Sequence, residues 1–297
     1  MMPSPATVCR ICQGSVEQKF TTPGIGLGIL ECRNCGLQLL QQQPSLKERH
    51  ALYDQHYYEG WSSSEELPDH VAQMKRQTFQ RMFQAAAGYS RPGRLLDVGC
   101  AFGTALEVAQ KFGWDVYGME VNPYAVERAQ AVFGSHIMAG DLAVTDLTAR
   151  TYHAVLMSDV LEHLPDPLQA MTRVRACLEP EGLVIINTPC TDSLSAKLLK
   201  GRWPNFKAEH LCYFSNRSLL ILFEKTGFRC RLMRPSLKAL NLLYVDHIMT
   251  RYHVSGLTPC VRGVIALVPR RWRTRNFFTR TGETFVIAQK VSGDVSS

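Results

Sequence analysis

The sequence has no long apolar run, and this argues against a membrane-spanning protein. None of its hydrophobic stretches approaches the ~20 residues that a spanning helix needs. The first twelve residues lack the basic start and apolar core of a secretory signal, so we expect a cytoplasmic protein. Internal repeats and low-complexity tracts are also lacking. A chain of 297 residues, 45% of them hydrophobic, predicts one main domain of roughly 150–200 residues with appendages.

The ten cysteines fit metal binding and reduced thiols better than a disulfide framework. Four of them form two Cys-x-x-Cys pairs separated by 19 residues: Cys9, Cys12, Cys32 and Cys35. This spacing matches a zinc ribbon, because each pair presents two thiolates to one tetrahedral ion. Four thiolates leave no open coordination position, so we expect structural Zn²⁺ within residues 1–45. The alternative is that the pairs are unrelated buried or redox-active cysteines.

The net charge of +7 conceals an uneven distribution along the chain. From Lys197 onward there are 18 Lys and Arg residues against 5 Asp and Glu, whereas the first 196 residues carry 15 against 21. A basic second part favours an anionic partner: a phosphate-bearing substrate, an acidic membrane surface or nucleic acid. For any single charge, solvation at the surface is the simpler explanation.

Strand-like and helical patterns alternate through most of the chain after residue 90. Residues 91–235 and 281–292 consist of repeated β-α units, which predict an α/β fold with a doubly wound parallel sheet and helices on both faces. Residues 46–90 form a linker with an aromatic run, followed by an amphipathic helix over 69–88. Residues 236–280 interrupt the alternation, and we interpret them as an inserted subdomain.

A glycine-rich turn follows the first strand of this α/β domain. Gly99 and Gly103 allow the chain to turn tightly and a ligand to approach the backbone, while Asp97 is placed to meet an amino or hydroxyl group. A glycine-rich turn alone would suit a nicotinamide cofactor equally well. The pattern is not Gly-x-Gly-x-x-Gly, however, and the turn lies well into the chain.

Two further carboxylates follow the next two strands. Glu120 ends one strand and would accept hydrogen bonds from ribose hydroxyls, and Asp141 follows the other, where it would accept a bond from an adenine amino group. Each alone is more simply explained as a surface carboxylate. Because both lie with the glycine turn at the carboxyl ends of successive strands, together they predict a nucleoside pocket.

Over roughly residues 70–235 and 283–290, the sequence resembles the class I S-adenosylmethionine-dependent methyltransferases. The run Ser-Asp-Val-Leu-Glu-His-Leu-Pro-Asp-Pro at 158–167 resembles the ubiquinone-biosynthesis type. The ribbon, together with the tyrosines in 52–58 and the run Glu-His-Leu-Cys-Tyr-Phe at 209–214, resembles bacterial ribbon-bearing methyltransferases. That group is often linked to sugar, glycan or lipid-linked products.

The resemblance implies a Rossmann-like methyltransferase sheet with S-adenosylmethionine as cofactor. It places the cofactor against residues that follow the strands: Asp97, Gly99, Cys100, Ala101, Gly103, Glu120, Val121, Asp141, Leu142 and Asp159. Ala101 departs from the family pattern, which commonly has a glycine at this point of the turn. A methyl group is a small addition, so we expect binding to survive with a slightly altered loop.

Two histidines are candidates for the general base that a hydroxyl or an acidic carbon acceptor would need. His210 precedes a Tyr-Phe turn where the family usually shapes the acceptor pocket, and we favour it as base or acceptor contact. His163 follows the fourth strand. In some ubiquinone-type relatives an acid-x-x-Glu-His cluster binds a divalent metal here, which would use Asp159, Glu162 and His163. A hydrogen-bonded structural role is the alternative for both histidines.

The insertion at 236–280 combines apolar segments with a cluster of arginines. Residues 237–252 are helical in pattern and rich in apolar residues, and residues 261–269 lead into Arg-Arg-Trp-Arg-Thr-Arg. Apolar side chains beside Arg and Trp suit a lipid headgroup boundary, so peripheral contact with the inner face of a membrane is one interpretation. A substrate lid that packs on the main domain is the other.

The sequence therefore favours methyl transfer to a small-molecule, sugar, glycan or lipid-linked acceptor, at oxygen or carbon. An RNA methyltransferase is the second hypothesis, because a ribbon and a basic C-terminal part suit RNA. The run Asn-Thr-Pro at 187–189, however, is not the Asn-Pro-Pro-aromatic signature of amino-group methylation on bases. A non-catalytic module that binds the cofactor is the third hypothesis.

Overall fold

The structure is a computed structural model that describes residues 8–23, 26–45, 48, 67–251 and 257–292. Its strands are β1 (Val16–Thr21), β2 (Gly28–Cys32), β3 (Gln38–Leu40), β4 (Arg94–Val98), β5 (Asp115–Glu120), β6 (Ile137–Ala139), β7 (Tyr152–Ser158), β8 (Leu178–Pro189), β9 (Cys212–Tyr213), β10 (Phe228–Pro235), β11 (Lys238–Leu240), β12 (Phe277–Thr279) and β13 (Glu283–Lys290). Its α-helices are α1 (Leu67–Ala86), α2 (Thr104–Lys111), α3 (Pro123–Phe133), α4 (Pro167–Cys177), α5 (Leu194–Leu199), α6 (Asn216–Lys225), α7 (Leu242–Arg251), α8 (Leu257–Leu267) and α9 (Arg270–Arg273). The aromatic run of the expected linker, 52–61, lies outside the described residues.

Seven strands form the main sheet, in the order β10-β13-β8-β7-β4-β5-β6. The five strands from β8 to β6 pair in parallel, as the repeated β-α units predict. β13 runs antiparallel to both β8 and β10, so the expectation of a wholly parallel sheet is wrong at this strand. The chain leaves β10 and returns into β13 at the same edge of the sheet. Strands joined at one edge run antiparallel, whereas parallel neighbours need a crossover to the opposite edge.

The insertion lies in the connection between β10 and β13. Pro235 pairs with Thr284, so residues 236–280 leave and re-enter the sheet at one edge. This is the carboxyl edge of the parallel strands, because Glu283 pairs with Pro189 at the end of β8. The insertion contains α7, α8, α9 and a two-stranded sheet of β11 and β12. Throughout the described part of the chain, no helix combines the length and the apolar character that crossing a bilayer requires.

Buried apolar side chains form two large clusters, one on each face of the main sheet. Successive residues of β7 alternate between them: Val155 and Met157 belong to one cluster, Ala154 and Leu156 to the other. Helices α4 and α6 complete the first cluster, whereas α1, α2 and α3 complete the second. Because helices cover both faces, the doubly wound α/β prediction is confirmed.

Local sequence explains where several helices begin. Asn122 caps α3 by accepting Ala125 N over 3.0 Å, and a proline follows at the first helical position. Ser215 and Ser218 form a reciprocal capping box at the start of α6. The predicted amphipathic helix over 69–88 is α1, displaced by two residues at each end.

The N-terminal unit is a small antiparallel sheet of β1, β2 and β3 that continues into the main domain. β3 pairs with β9, and Leu40 N donates to Leu211 O over 3.0 Å. Ser215 Oγ donates to Cys35 O over 3.2 Å. The cysteine unit is therefore fixed to the segment that carries His210, a connection that the two-residue strand β9 is too short to reveal in the sequence.

Candidate active site

The glycine-rich turn leaves β4 and closes over the end of β5. The amides of Gly99 and Cys100 both donate to Met119 O, over 2.8 and 3.1 Å. Gly99 has a φ of +73°, and a Cβ added there would lie 2.7 Å from Val160 Cγ2. Ala101 also has a positive φ, +47°, which is strained for an L-residue. The turn thus keeps a glycine-like conformation at Ala101, where the resemblance predicts a glycine.

Glu120 holds this turn in place. Its Oε2 accepts the amide of Ala101, and its Oε1 accepts the amides of Val121 and Asn122, each over 2.9 Å. The residue is only 4% exposed. A carboxylate offers roughly four acceptor positions. The backbone occupies three of them, so about one is left for a ligand hydroxyl.

Asp97 lies at the end of β4 and is 3% exposed. Burial, and then the negative charge of Glu120, raises the pKa of Asp97 well above its usual range. Burial also raises the pKa of Glu120, although its three backbone hydrogen bonds work in the opposite direction. Two buried carboxyl groups with raised pKa values favour a cationic ligand, because a nearby positive charge stabilises their ionised forms.

Asp141 follows β6, next to the end of β5. Gly140 N donates to Glu120 O over 2.9 Å, which brings the two carboxylates to the same edge of the sheet. Asp141 Oδ1 accepts Ala143 N over 2.8 Å, so part of this side chain closes its own turn. Leu142 is 2% exposed and belongs to the core.

Cys100, in the glycine turn, is 4% exposed, and its side chain packs towards Gly118 of β5. The structure thus brings Asp97, the glycine turn, Glu120 and Asp141 together.

Asp159 lies in a different environment from the other acids, within a network of charges. Lys238 Nζ lies 3.0 Å from Asp159 Oδ2 and 2.8 Å from Glu283 Oε2. Partial desolvation works to raise the pKa of Asp159, but attraction to Lys238 outweighs it and holds the pKa below its usual range. Asp159 also has a φ of +58°, an unfavourable conformation of the kind that is concentrated at functional sites.

Asn187 joins the same network from the end of β8. Its Nδ2 donates to Glu283 Oε2 over 2.6 Å and to Asp159 Oδ1 over 3.3 Å. The residue is fully buried, and its Oδ1 finds no hydrogen-bond partner among the described residues. Sequence reasoning missed Lys238 and Glu283, and the available indication was that Lys238 lies near the start of the insertion and Glu283 just after its end.

Glu162 is buried behind this network, at 1% exposure. Thr188 Oγ1 donates to Glu162 Oε2 over 2.9 Å. Burial, and then repulsion from Asp159, raises the pKa of Glu162 to about 8. Without an added cation, Glu162 is therefore mainly protonated at neutral pH.

His163 and His210 meet edge to face, with ring centroids 4.7 Å apart. His163 Nδ1 lies 2.9 Å from Glu209 O, and His210 Nδ1 lies 2.9 Å from Asn205 O. Because a carbonyl can only accept, Nδ1 carries the proton in both rings and Nε2 is the basic nitrogen of the neutral form. Burial lowers the pKa of both, and that of His210, which His163 lowers further, lies well below its usual range. Both rings are therefore neutral at pH 7, as a general base requires.

The four ribbon cysteines lie together as the spacing predicts. The Sγ atoms of Cys9 and Cys35 are 3.4 Å apart, as are those of Cys12 and Cys32, and all four lie within 4.8 Å of one another. Tetrahedral zinc with Zn–S bonds of about 2.3 Å requires sulfur atoms about 3.8 Å apart, so the set fits the ion. The nine cysteines whose side chains the structure describes are free of disulfide bonds.

A second candidate metal set differs from the expected one by a single ligand. Within the described part of the chain, ligand atoms of Glu162, His163 and His210 all lie within 4.8 Å of one another. Asp159 does not join this group and contacts Lys238 instead. One carboxylate and two imidazoles suit a divalent cation, and such a charge would lower the raised pKa of Glu162.

Comparison with known proteins places this chain in a family. The sequence profile of the methyltransferase domain family matches residues 69–232, more than half of the chain. The chain therefore belongs to this family, and its mixed seven-stranded sheet is that of the class I S-adenosylmethionine-dependent group. Membership implies binding of S-adenosylmethionine, and the buried acids beside the glycine turn fit its positive charge.

Several individual proteins are similar to parts of the chain. The O-methyltransferase resE from Aspergillus sclerotiorum is 27% identical over 177 residues, 51% of this chain and 64% of that protein. A ubiquinone biosynthesis O-methyltransferase from Cereibacter sphaeroides is 32% identical over 103 residues, 32% of this chain and 40% of that protein. The chain thus spans about half the length of these relatives. Magnesium protoporphyrin IX methyltransferase from Synechocystis PCC 6803 has the same fold, with a TM-score of 0.53 at 14% identity over 83% of this chain and 100% of that one.

Proposed function

We propose that the protein transfers the methyl group of S-adenosylmethionine to an oxygen or carbon atom of a small-molecule, sugar, glycan or lipid-linked acceptor. The support for this proposal is that two groups of residues both follow the ends of the neighbouring strands β4 and β7, at the carboxyl edge of the sheet. One group is the glycine turn with the buried acids Asp97 and Glu120. The other is the neutral pair of His163 and His210. The similarity to O-methyltransferases favours oxygen as the acceptor atom.

The chemistry asks little of the protein beyond alignment, a base and the exclusion of water. The sulfonium of S-adenosylmethionine supplies a methyl group that is already activated. Glu120 would bind a ribose hydroxyl of the cofactor through its remaining acceptor position. Asp97 would stabilise the positive charge of the cofactor's amino group. His210 Nε2 takes the proton of the acceptor hydroxyl as the oxygen–carbon bond forms and the carbon–sulfur bond breaks.

The ribbon contributes to this site as a scaffold. Zinc held by the four cysteines would stabilise β2 and β3, and β3 pairs with β9 directly after His210. The hydrogen bond from Ser215 Oγ to Cys35 O fixes the other side of the same segment. The metal would therefore act on chemistry only through the position of His210.

A divalent cation is a second use of the same histidine pair. The buried Glu162, whose pKa of about 8 a cation would lower, favours it. Glu162, His163 and His210 would hold the ion, which would orient the acceptor and make its hydroxyl more acidic. Dialysis against a chelator separates the two mechanisms. Loss of activity that added Mn²⁺ restores indicates the cation, because two imidazoles and a carboxylate suit a transition metal, whereas unchanged activity indicates His210 as the base.

Transfer of a labelled methyl group into fractionated cell extract tests the function. The native chain should label one small-molecule or lipid fraction, and mass analysis of the product identifies the acceptor. Label that appears only in ribonuclease-sensitive material would instead support an RNA methyltransferase. Tight cofactor binding without any transfer would favour a non-catalytic module.

A further inference from the structure

The insertion presents apolar side chains to solvent. Leu267 is 86% exposed and Val264 is 66% exposed, and their spacing of three residues places them on one face of α8. Ile265 of the same helix is 5% exposed and packs inward, so α8 has a buried and an exposed apolar side. Trp272 of the neighbouring α9 is half exposed. Apolar side chains grouped at a surface in this way are typical of an interaction site.

Arginines surround these apolar side chains. Residues 261–280, which we call the arginine segment, contain six arginines and no acidic residue. Two of the six stabilise the insertion itself: Arg262 forms an ion pair, and Arg273 donates to carbonyls at the end of α8. The other four are exposed: Arg270, Arg271, Arg275 and Arg280. The exposed apolar face therefore lies in a strongly positive surface.

A second surface of similar composition follows β8. Leu194 and Leu198 of α5 are 73% and 71% exposed, and exposed basic residues accompany them: Lys197, Lys200 and Arg202. Cys190 N donates to Gly282 O over 2.9 Å, so α5 and the arginine segment leave the sheet side by side. Both surfaces thus belong to the carboxyl edge, where the candidate active site lies.

We propose that the arginine segment docks the protein on an anionic lipid surface, with Val264 and Leu267 entering the headgroup boundary. Charge complementarity identifies the partner, because guanidinium groups attract phosphate headgroups while apolar and indole side chains enter the layer beneath them. The two most exposed apolar side chains of the segment, Val264 and Leu267, are aliphatic and suit the acyl layer beneath the headgroups. The exposed Trp272 would also stack on a nucleic acid base, so binding of RNA is a separate outcome of the test below. A lipid surface at this edge would present a membrane-anchored acceptor to the site, a consequence that rests on the proposed methyl transfer.

Sedimentation of the full-length protein with lipid vesicles tests the docking. The native chain should bind vesicles of phosphatidylcholine mixed with phosphatidylglycerol, bind pure phosphatidylcholine weakly, and lose binding as salt increases. Leu267→Glu should lower partitioning into the mixed vesicles about tenfold, because it removes an apolar contact and adds a repelled charge. The high exposure of Leu267 means that this variant should still fold. Val132→Glu on α3, at a residue that is 65% exposed outside the segment, is the matched control and should bind like the native chain.

Two outcomes would overturn the proposal. One is equal vesicle binding by Leu267→Glu and the native chain, or no binding by either. The other is salt-sensitive binding of RNA without binding of vesicles, which would assign the segment to nucleic acid. The assay requires neither methyl donor nor acceptor, so its failure is distinguishable from failure of the proposed methyl transfer.

Discussion

Glu120→Gln should weaken S-adenosylmethionine binding while leaving the protein folded. The substitution preserves size, and the remaining oxygen can still accept the amides of Val121 and Asn122. The new amide nitrogen faces the amide of Ala101, where Oε2 now accepts a bond of 2.9 Å. Two donors then oppose each other in the glycine turn, and the negative charge next to Asp97 is lost.

The expected size of this effect follows from the bond that is removed. A hydrogen bond to a charged acceptor contributes about 1.5–3 kcal/mol. Loss of the bond from the ribose hydroxyl to Glu120, at about 2 kcal/mol, raises the dissociation constant roughly 30-fold. Glu120→Ala removes the acceptor for all three amides and should weaken binding further.

Calorimetric titration of each variant with S-adenosylmethionine measures this change. Glu127→Gln, at an exposed residue of α3, is the control and should bind like the native chain. Circular dichroism verifies that the variants are folded. A folded Glu120→Gln protein with native affinity would refute the assignment of the glycine turn to the cofactor.

Other parts of the site give four further predictions. Glu162 has a folded pKa of about 8 against an ordinary value of 4.5, so stability should fall as pH rises between these values; Glu162→Gln should flatten that loss in urea titrations, and an unchanged slope would contradict the raised pKa. Lys238→Met leaves Asp159 and Glu283 without their shared cation and should cost about 2 kcal/mol of unfolding free energy, whereas Lys225→Met should cost little. His210→Ala should lose about 100-fold in turnover with cofactor affinity retained. The control His136→Ala removes another histidine bonded to a carbonyl and should keep turnover. Equal losses in the two variants would argue against His210 as a base. Because the pKa of His210 is lowered, native turnover should persist below pH 6.5 before it falls. Metal analysis should find about one zinc per chain, and Cys12→Ser should both lose it and increase hydrogen exchange around His210; a metal-free, fully folded protein would refute the zinc site.

Features that depend on neighbouring residues were predictable from the sequence. A strand followed by a glycine turn positions Asp97 and Gly99 whatever the rest of the fold, and repeated β-α units bring the ends of β4, β5 and β6 to one edge. The cysteine spacing likewise predicted the four-sulfur cluster. In each case the chain between the residues is short and regular.

Features that depend on distant pairing were not predictable. The direction of β13 follows from pairing across the insertion, and β9 joins a strand more than 170 residues earlier in the chain. Lys238, at the start of the insertion, pairs with Asp159, which lies 79 residues earlier in the chain.

The candidate metal set shows a subtler failure of sequence spacing. Asp159, Glu162 and His163 are close in sequence, but the 3₁₀ turn Leu161–His163 directs Glu162 into the core while Asp159 stays at the surface. His210 takes the third place because its segment lies against that turn, where Leu211 N donates to Glu162 O over 2.8 Å.

A crystal structure of the protein with S-adenosylhomocysteine tests the central claim most directly. We predict a ribose hydroxyl within hydrogen-bond distance of Glu120, the amino group beside Asp97, and the sulfur directed towards His210. Density for the nucleoside at any other edge of the sheet, or a ribose beyond hydrogen-bond reach of Glu120, would contradict the account.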